Sequence, residues 1–352
     1  MNLPFTVTQS ELSDLLLNLS PIRPVFIWGA PGIGKSALVQ QFADDVGMEC
    51  VSLLGSQLAP EDIIGIPQIK GETSEFMPPK MIARKEPYVL FLDELNACSQ
   101  EVQKAFYSLI HEKRIGEYHL PPGSVVIGAG NRSQDGAIVK TMSTALVNRM
   151  FHVQLVADPQ QWLNWAYENE LHPWVIDYIT QRPDQLFSEP PKTEEPYSTP
   201  RSWHMLSDAL KEYGAGEKDV PEGILRVLAY GSVSASHAGL FLAFVKNLGN
   251  KDLLSRIIKG DAHFPSDPKD RDVLYFAAQS FRAKLLTELP ADKQKMDKNT
   301  QYFTHRAKAM IKELSHISLE LAQMVVSADE GKVLPEWFMV EIVRDLPRLI
   351  KN

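Results

Sequence analysis

The feature that most constrains this 352-residue chain is the run GAPGIGKS, which begins at Gly29. It lies between a short apolar run, VFIWG, and a helical pattern, SALVQQFADDVG. Its glycines let backbone N–H groups curve around phosphate oxygens, and the following helix presents its positive dipole end to the same anion. The spacing GxxxxGK[ST] predicts a phosphate-binding loop for ATP, with Lys35 reaching the β- and γ-phosphates and Ser36 binding Mg²⁺. The predicted nucleotide-binding residues of this loop are Gly29, Ala30, Pro31, Gly32, Ile33, Gly34, Lys35, Ser36 and Ala37.

Two adjacent carboxylates follow a second apolar run, YVLFLDE, at Asp93 and Glu94. In an open parallel sheet, ligands bind beyond the carboxyl ends of the strands, where these side chains emerge. The pattern predicts that Asp93 holds the magnesium shell. It also predicts that Glu94 orients and polarises the water that attacks the terminal phosphate of ATP.

Five short apolar runs define the fold class of the N-terminal part: VFIWG, CVSLL, YVLFLD, SVVIGAGN and FHVQL. Helical or loop segments separate them, which predicts an α/β fold with a parallel sheet covered on both faces. After residue 156 the pattern is helical without a clear strand, and a proline-rich loop spans 183–200. We therefore expect an αβα nucleotide-binding domain at 1–156, a helical domain at 157–250 and a C-terminal helical extension at 251–352.

Three further polar residues lie where they can serve the same site. Asn131 ends the run SVVIGAGN, where an amide can position water or sense the γ-phosphate, or simply cap a loop. Arg149 closes the helical pattern TMSTALVNRM, either complementing the helix dipole or acting as an arginine finger in a neighbouring subunit. Arg201 opens a helix in STPRSWHML, where its charge opposes the dipole and a phosphate is a suitable partner.

Composition limits the other classes of function. The formal charge of −8 disfavours a protein that passively coats nucleic acid. The two cysteines, Cys50 and Cys98, form no CxxC motif, which fits a reducing, cytoplasmic location. The least polar stretch, 227–245, is interrupted by glycine, serine and histidine, so we expect a buried helix there and no membrane span.

The order of these motifs resembles the AAA+ superfamily and, within it, the MoxR group. The segment LLGSQLAPEDIIGIPQ is similar to the one that precedes the group's helix-two insert, with 69–81 as the insert's hairpin. The run DELNACSQEVQKAFYSLIHEKRIG resembles the group's DEINRA segment, and GEYHLPP resembles the hairpin before the sensor strand. The resemblance covers roughly residues 20–210.

This resemblance implies a five-stranded parallel sheet in the order 5-1-4-3-2 followed by a helical lid, whereas the C-terminal helical extension is expected from the helical pattern alone. It implies catalytic roles for Glu94, Asn131 and Arg149, and a nucleotide contact for Arg201. It also implies a homo-oligomeric ring, usually a hexamer, with ATP at subunit interfaces. The partner would be a protein client, often one with a von Willebrand factor A domain, on which the ring acts like a chaperone.

Two positions depart from the group's pattern. Ala97 stands where DEINRA has arginine, so any role of that arginine is lost or moved. Arg132 follows Asn131 where MoxR-like chains tend to have proline, which makes Arg132 an alternative to Arg149 as the residue that contacts phosphate.

Two other functions stay open at this point. The first is an AAA+ ATPase that acts on nucleic acid, such as a helicase loader or a restriction-type motor; the acidic balance and the lack of a DNA-reading motif oppose it. The second is a nucleotide-binding switch with little hydrolysis, which the intact pair Asp93 and Glu94 opposes.

Overall fold

The computed structural model describes residues 3–132, 142–216, 218, 220–246, 253–267, 270–327 and 333–345. The chain divides into two compact units. Unit 1 comprises Met1–Glu170 and Phe187–Met205, and unit 2 comprises Leu171–Leu186 and Leu206–Asn352. The three-domain division drawn from the sequence remains a prediction.

Unit 1 is an α/β fold. Its strands are β1 (Val25–Trp28), β2 (Glu49–Leu54), β3 (Ile66–Lys70), β4 (Thr73–Met77), β5 (Tyr88–Asp93), β6 (Arg114–Ile115), β7 (Tyr118–His119), β8 (Val125–Gly130) and β9 (Phe151–Gln154). Its helices are α1 (Gln9–Leu19), α2 (Lys35–Asp45), α3 (Glu61–Ile64), α4 (Gln100–Glu112), α5 (Thr144–Val147) and α6 (Pro159–Glu168).

The five apolar runs pair as parallel strands in the order β2-β5-β8-β1-β9. Counted among themselves along the chain, these strands have the order 5-1-4-3-2, which confirms the predicted fold class. Parallel strands joined by crossover helices are covered on both faces, which is why the inner strands β1, β5 and β8 are almost uninterrupted apolar, buried runs.

The central strand β1 illustrates this double burial. Val25 and Ile27 point to the layer formed with α1 and α2, where they pack in a core that includes Leu16. Phe26 and Trp28 point to the opposite layer. All four side chains of β1 are therefore buried, up to the residue before the phosphate-binding loop.

Two hairpins leave this unit. β3 and β4 form an antiparallel pair that turns at Gly71, with φ +63°. The predicted insert hairpin at 69–81 is therefore displaced: its first strand begins at Ile66, and Pro78 and Pro79 follow its second strand, since proline cannot continue the ladder as a donor. β6 and β7 form the short hairpin expected before the sensor strand.

The segment before β9 is less helical than its sequence indicates. The pattern TMSTALVNRM predicts a helix that Arg149 closes, whereas α5 is one turn long. Ser143 caps it by accepting a hydrogen bond from Leu146 N at 3.2 Å. Thr141 lies outside the described residues, and Arg149 lies just beyond the helix.

Unit 2 is helical. The unit boundary falls within α8 (Pro200–Glu212). The other helices of unit 2 are α7 (Pro173–Gln181), α9 (Glu222–Ser232), α10 (Ala235–Lys246), α11 (Leu253–Lys259), α12 (Arg271–Glu288), α13 (Lys298–Ile317), α14 (Leu319–Val326) and α15 (Glu336–Asp345).

The C-terminal helices of unit 2 share one apolar core. The row that begins at Phe303 and includes Met310 and Leu314 faces this core, together with Phe281 and Phe338. The apolar residues of α13, which alternate four and three positions apart, thus form a packing face within this unit. Within the described ranges, no helix combines the length and the apolar character that crossing a bilayer requires.

Candidate nucleotide site

The predicted phosphate-binding loop joins β1 to α2. Gly32 and Gly34 have φ angles of +77° and +99°, in the left-handed region that favours glycine. Gly34 is the residue before the first turn of α2, so the loop leads directly into the helix N-terminus. The free N–H groups and the helix dipole at this end suit a bound anion.

Lys35 is buried at the base of the loop, with only 8% of its surface exposed. Its Nζ donates to Gly29 O at 2.8 Å, to Ala30 O at 3.0 Å and to Asn131 Oδ1 at 2.8 Å. A buried ammonium is costly unless its protons are hydrogen-bonded, and these acceptors compensate that cost. The hydrogen bond between Lys35 and Asn131 also joins the loop to the end of β8.

Ser36 and Asp93 meet across the same edge of the sheet. The Ser36 hydroxyl donates to Asp93 Oδ2 at 2.6 Å, and Glu94 N donates to Asp93 Oδ1 at 2.9 Å. These hard oxygen atoms fit Mg²⁺, which is usually held by one or two carboxylates, substrate phosphates and water. The described part of the chain contains no cluster of three or more His, Cys, Asp or Glu residues, and a magnesium site of this kind does not need one.

Glu94 adopts a left-handed backbone conformation, with φ +52°. A non-glycine residue in this region is strained, and such strain is concentrated at functional sites. Its side chain accepts a hydrogen bond from Ser56 Oγ at 2.6 Å. Ser56 was not among the residues selected from the sequence. The signal was present, because Ser56 closely follows β2, the neighbour of β5 at this sheet edge.

A second residue that the sequence analysis missed is Asn96. Its Nδ2 donates to the backbone carbonyl of Asn131 at 2.7 Å, and its side chain is buried. Asn96 therefore fixes the backbone from which the Asn131 amide reaches Lys35. The two positions that depart from the MoxR pattern lie next to these residues. Arg132 directly follows Asn131 and is half-buried. Ala97 N donates to Glu94 O at 2.8 Å.

The start of α8 lies against the loop, within unit 1. Arg201 N donates to Gly32 O at 3.1 Å, while the Arg201 side chain is exposed. Thr199 and Ser202 cap the helix reciprocally, with Thr199 N donating to Ser202 Oγ at 2.7 Å and Ser202 N to Thr199 Oγ1 at 3.1 Å. The structure thus brings Arg201 beside the phosphate-binding loop.

Arg149 is not part of this cluster. Its Nη1 donates to Ala145 O at 3.0 Å, and its guanidinium lies 4.3 Å from the centroid of the Tyr107 ring. Among the described residues, no hydrogen bond joins Arg149 to the phosphate-binding loop, and its buried Nε has no partner. The side chain is folded back on its own chain.

Comparison with known families gives this geometry a context. Residues 24–150 match the sequence family described as the AAA domain, dynein-related subfamily. The chain is similar to this family over that segment, which contains Lys35, Ser36, Asp93, Asn131 and Arg149, whereas Arg201 lies beyond it.

Individual known proteins match this chain at low identity. The chain is 29% identical to midasin of Giardia intestinalis in an alignment of 176 residues that covers 47% of this chain and 4% of that protein's length. A RuvB variant of Thermotoga maritima matches 71% of this chain and 74% of its own, with 17% identity and a TM-score of 0.40. NtrX of Brucella abortus matches 99% of this chain and 69% of its own, with 12% identity and a TM-score of 0.43.

Proposed function

We propose that this chain is a magnesium-dependent ATPase that works in a ring and uses hydrolysis to remodel a protein partner. The carrying observation is the junction of three strand ends. Lys35 follows β1, Asp93 ends β5 and Asn131 follows β8, and two hydrogen bonds join them, from Lys35 to Asn131 and from Ser36 to Asp93. This sheet edge is where open α/β folds bind ligands.

Each residue has a role that its chemistry supports. Lys35 and the N–H groups at the start of α2 would hold the β- and γ-phosphates, and Ser36 and Asp93 would hold Mg²⁺. The metal ion supplies neutralisation of the negative charge on the phosphates. Glu94 would orient the attacking water, and Asn131 would position that water or the γ-phosphate.

The proposed ring rests on the resemblance to the AAA+ superfamily, and Arg149 is the residue that would act between its subunits. An arginine finger stabilises transition-state charge in a neighbouring subunit, so it need not contact the phosphate site of its own chain. The folded-back position of Arg149 agrees with that role, because the guanidinium is available to a neighbour once it leaves Ala145 and Tyr107. Arg132 lies beside Asn131 and is the alternative within the same chain.

The proposed client is a protein. The resemblance to the MoxR group favours a protein client, in particular one with a von Willebrand factor A domain, and a cytoplasmic, chaperone-like role. The formal charge of −8 favours a protein client over nucleic acid.

The decisive variant is Glu94→Gln, with Glu168→Gln on the exposed end of α6 as the matched control. We expect Glu94→Gln to bind Mg·ATP like the parent and to lose hydrolysis, since an amide cannot accept a proton from water. The control should hydrolyse ATP at the parental rate. Parental turnover in Glu94→Gln would contradict the role of Glu94.

A mixing experiment tests the ring. Glu94→Gln subunits should be inactive alone, and Arg149→Ala subunits should keep only a low, measurable residual turnover. When they are mixed, some interfaces combine an intact Glu94 with a neighbour's intact Arg149, so activity should rise. Sedimentation with and without Mg·ATP would report assembly, and a mixture no more active than its components would show that Arg149 does not act across an interface.

A further inference from the structure

His152 contacts two segments on which the proposed chemistry depends, the end of β1 and the end of α5. It lies on β9, paired with Phe26 of β1. The indole Nε1 of Trp28 donates to His152 Nδ1 at 3.0 Å, and His152 Nε2 lies 2.8 Å from the carbonyl of Val147. The Trp28 and His152 rings also stack, with centroids 6.0 Å apart and planes 27° apart.

These partners define the state of the imidazole. The Trp28 indole is only a donor, so His152 Nδ1 must accept, and the Val147 carbonyl is only an acceptor, so Nε2 must carry the proton. Both hydrogen bonds therefore require neutral His152. Burial lowers the pKa of His152, which favours that neutral form.

The two ends of this chain of contacts are functionally placed. Trp28 is the last residue of β1, directly before Gly29 of the phosphate-binding loop. Val147 is the last residue of α5, two positions before Arg149. One imidazole thus bridges the end of the loop strand and the segment that carries the arginine.

The shortness of α5 makes this contact important. An isolated helical turn is not stable by itself, so contacts with its surroundings set its orientation. Two backbone carbonyls near the C-terminal end of α5 have no partner within the helix and accept hydrogen bonds from side chains. Ala145 O accepts from Arg149 Nη1, and Val147 O accepts from His152 Nε2. The orientation of Arg149 therefore depends on where His152 holds the end of α5.

We propose that His152 is a positioning residue that couples the phosphate-binding strand to Arg149. When nucleotide binding shifts Trp28, His152 carries the shift to the end of α5 and sets the direction of the guanidinium toward the neighbouring subunit. The inference rests on the proposed role of Arg149 across the interface.

Two variants break the coupling at different atoms. His152→Gln keeps a donor for Val147 and removes the aromatic acceptor stacked on Trp28. Trp28→Phe keeps an aromatic ring and removes the indole N–H. The affinity for Mg·ATP is measured in a Glu94→Gln background, and kcat is measured in the assembled parent background. We expect each variant to bind Mg·ATP within about threefold of its background and to lose at least tenfold in kcat.

Epistasis with Arg149→Ala separates coupling from a general structural defect. Because both changes act through the same guanidinium, His152→Gln should lower kcat less than twofold further in the Arg149→Ala background. A loss in that background equal to the loss in the parent would overturn the coupling, as would parental kcat in His152→Gln. Parental kcat in Arg149→Ala would instead refute the finger assignment in the proposed function.

Discussion

Ser36 and Asp93 are 57 positions apart in the chain, yet the Ser36 hydroxyl donates a 2.6 Å hydrogen bond to Asp93 Oδ2. The contact joins the start of α2 to the end of β5 and creates a pair of hard oxygen ligands. If this pair holds Mg²⁺, Asp93→Asn and Ser36→Ala should weaken Mg·ATP binding at least about tenfold, near 1.4 kcal/mol, and change ATP binding in EDTA less. Calorimetric titration in both buffers measures this, and equal losses with and without magnesium would contradict a metal role.

The Ser56–Glu94 hydrogen bond predicts a gain of basal activity. The Ser56 hydroxyl donates a hydrogen bond to Glu94 Oε2, and a carboxylate oxygen of this residue must accept a proton from the attacking water. A hydrogen bond to a charged group contributes about 1.5 kcal/mol or more, so Ser56→Ala should raise basal ATP turnover by up to about tenfold. Steady-state hydrolysis of Mg·ATP measures this. A lower rate in Ser56→Ala would mean that Ser56 holds Glu94 in its productive orientation.

Gly32 predicts a steric effect that a control glycine isolates. A Cβ at Gly32 would lie 2.6 Å from Thr199 Oγ1, whereas a Cβ at Gly47 would meet nothing within 4 Å, although both glycines have positive φ. Gly32→Ala should therefore lose Mg·ATP binding, while Gly47→Ala should cost only the left-handed strain of about 1–2 kcal/mol. Thermal unfolding and titration measure the two effects.

A second substitution tests the origin of the Gly32 effect. Thr199→Ala removes the oxygen that the new methyl group would meet, so it should restore part of the binding lost in Gly32→Ala. No recovery in the double variant would indicate that backbone strain, or the Thr199 Cβ that alanine retains 2.9 Å away, accounts for the loss.

The fold and much of this site follow from local sequence signals. Buried parallel strands are continuous apolar runs, and the glycine spacing before Lys35 marks the loop, so the sheet and the cluster of Lys35, Ser36 and Asp93 could be predicted. The partners Ser56 and Asn96 were missed because serine and asparagine in loops have many ordinary uses. Only the strand order brings Ser56 beside Glu94 and Asn96 beside Asn131.

The length of α5 and the position of Arg149 could not be predicted from the sequence, for a different reason. A one-turn helix carries too few residues for a periodic pattern, and its orientation depends on tertiary contacts. The contacts of Arg149 with Tyr107 and of His152 with Trp28 join segments that are distant in the chain. No local pattern specifies them.

Burial within unit 2 predicts a histidine, His237, with a lowered pKa. Desolvation lowers the pKa of His237 from 6.5 to about 4, while Asp184 opposes this shift and Arg182 supports it. Between these pH values the unfolded chain binds more protons than the folded one, so this group's contribution to stability falls as pH drops from about 6.5 toward about 4. Titration of the imidazole by NMR, assigned with His237→Gln, should place the midpoint near pH 4. A midpoint near 6.5 would contradict burial as the cause.

The most direct test of the account is calorimetric titration of Mg·ATP into the parent, Lys35→Ala and the surface control Lys192→Ala. Lys35 is buried at the base of the loop, and its ammonium group is the one we assign to the phosphates. We expect saturable binding to the parent and to Lys192→Ala, and affinity at least about a hundredfold weaker, near 2.7 kcal/mol, for Lys35→Ala. No heat of binding with the parent, or equal affinity in Lys35→Ala, would contradict it.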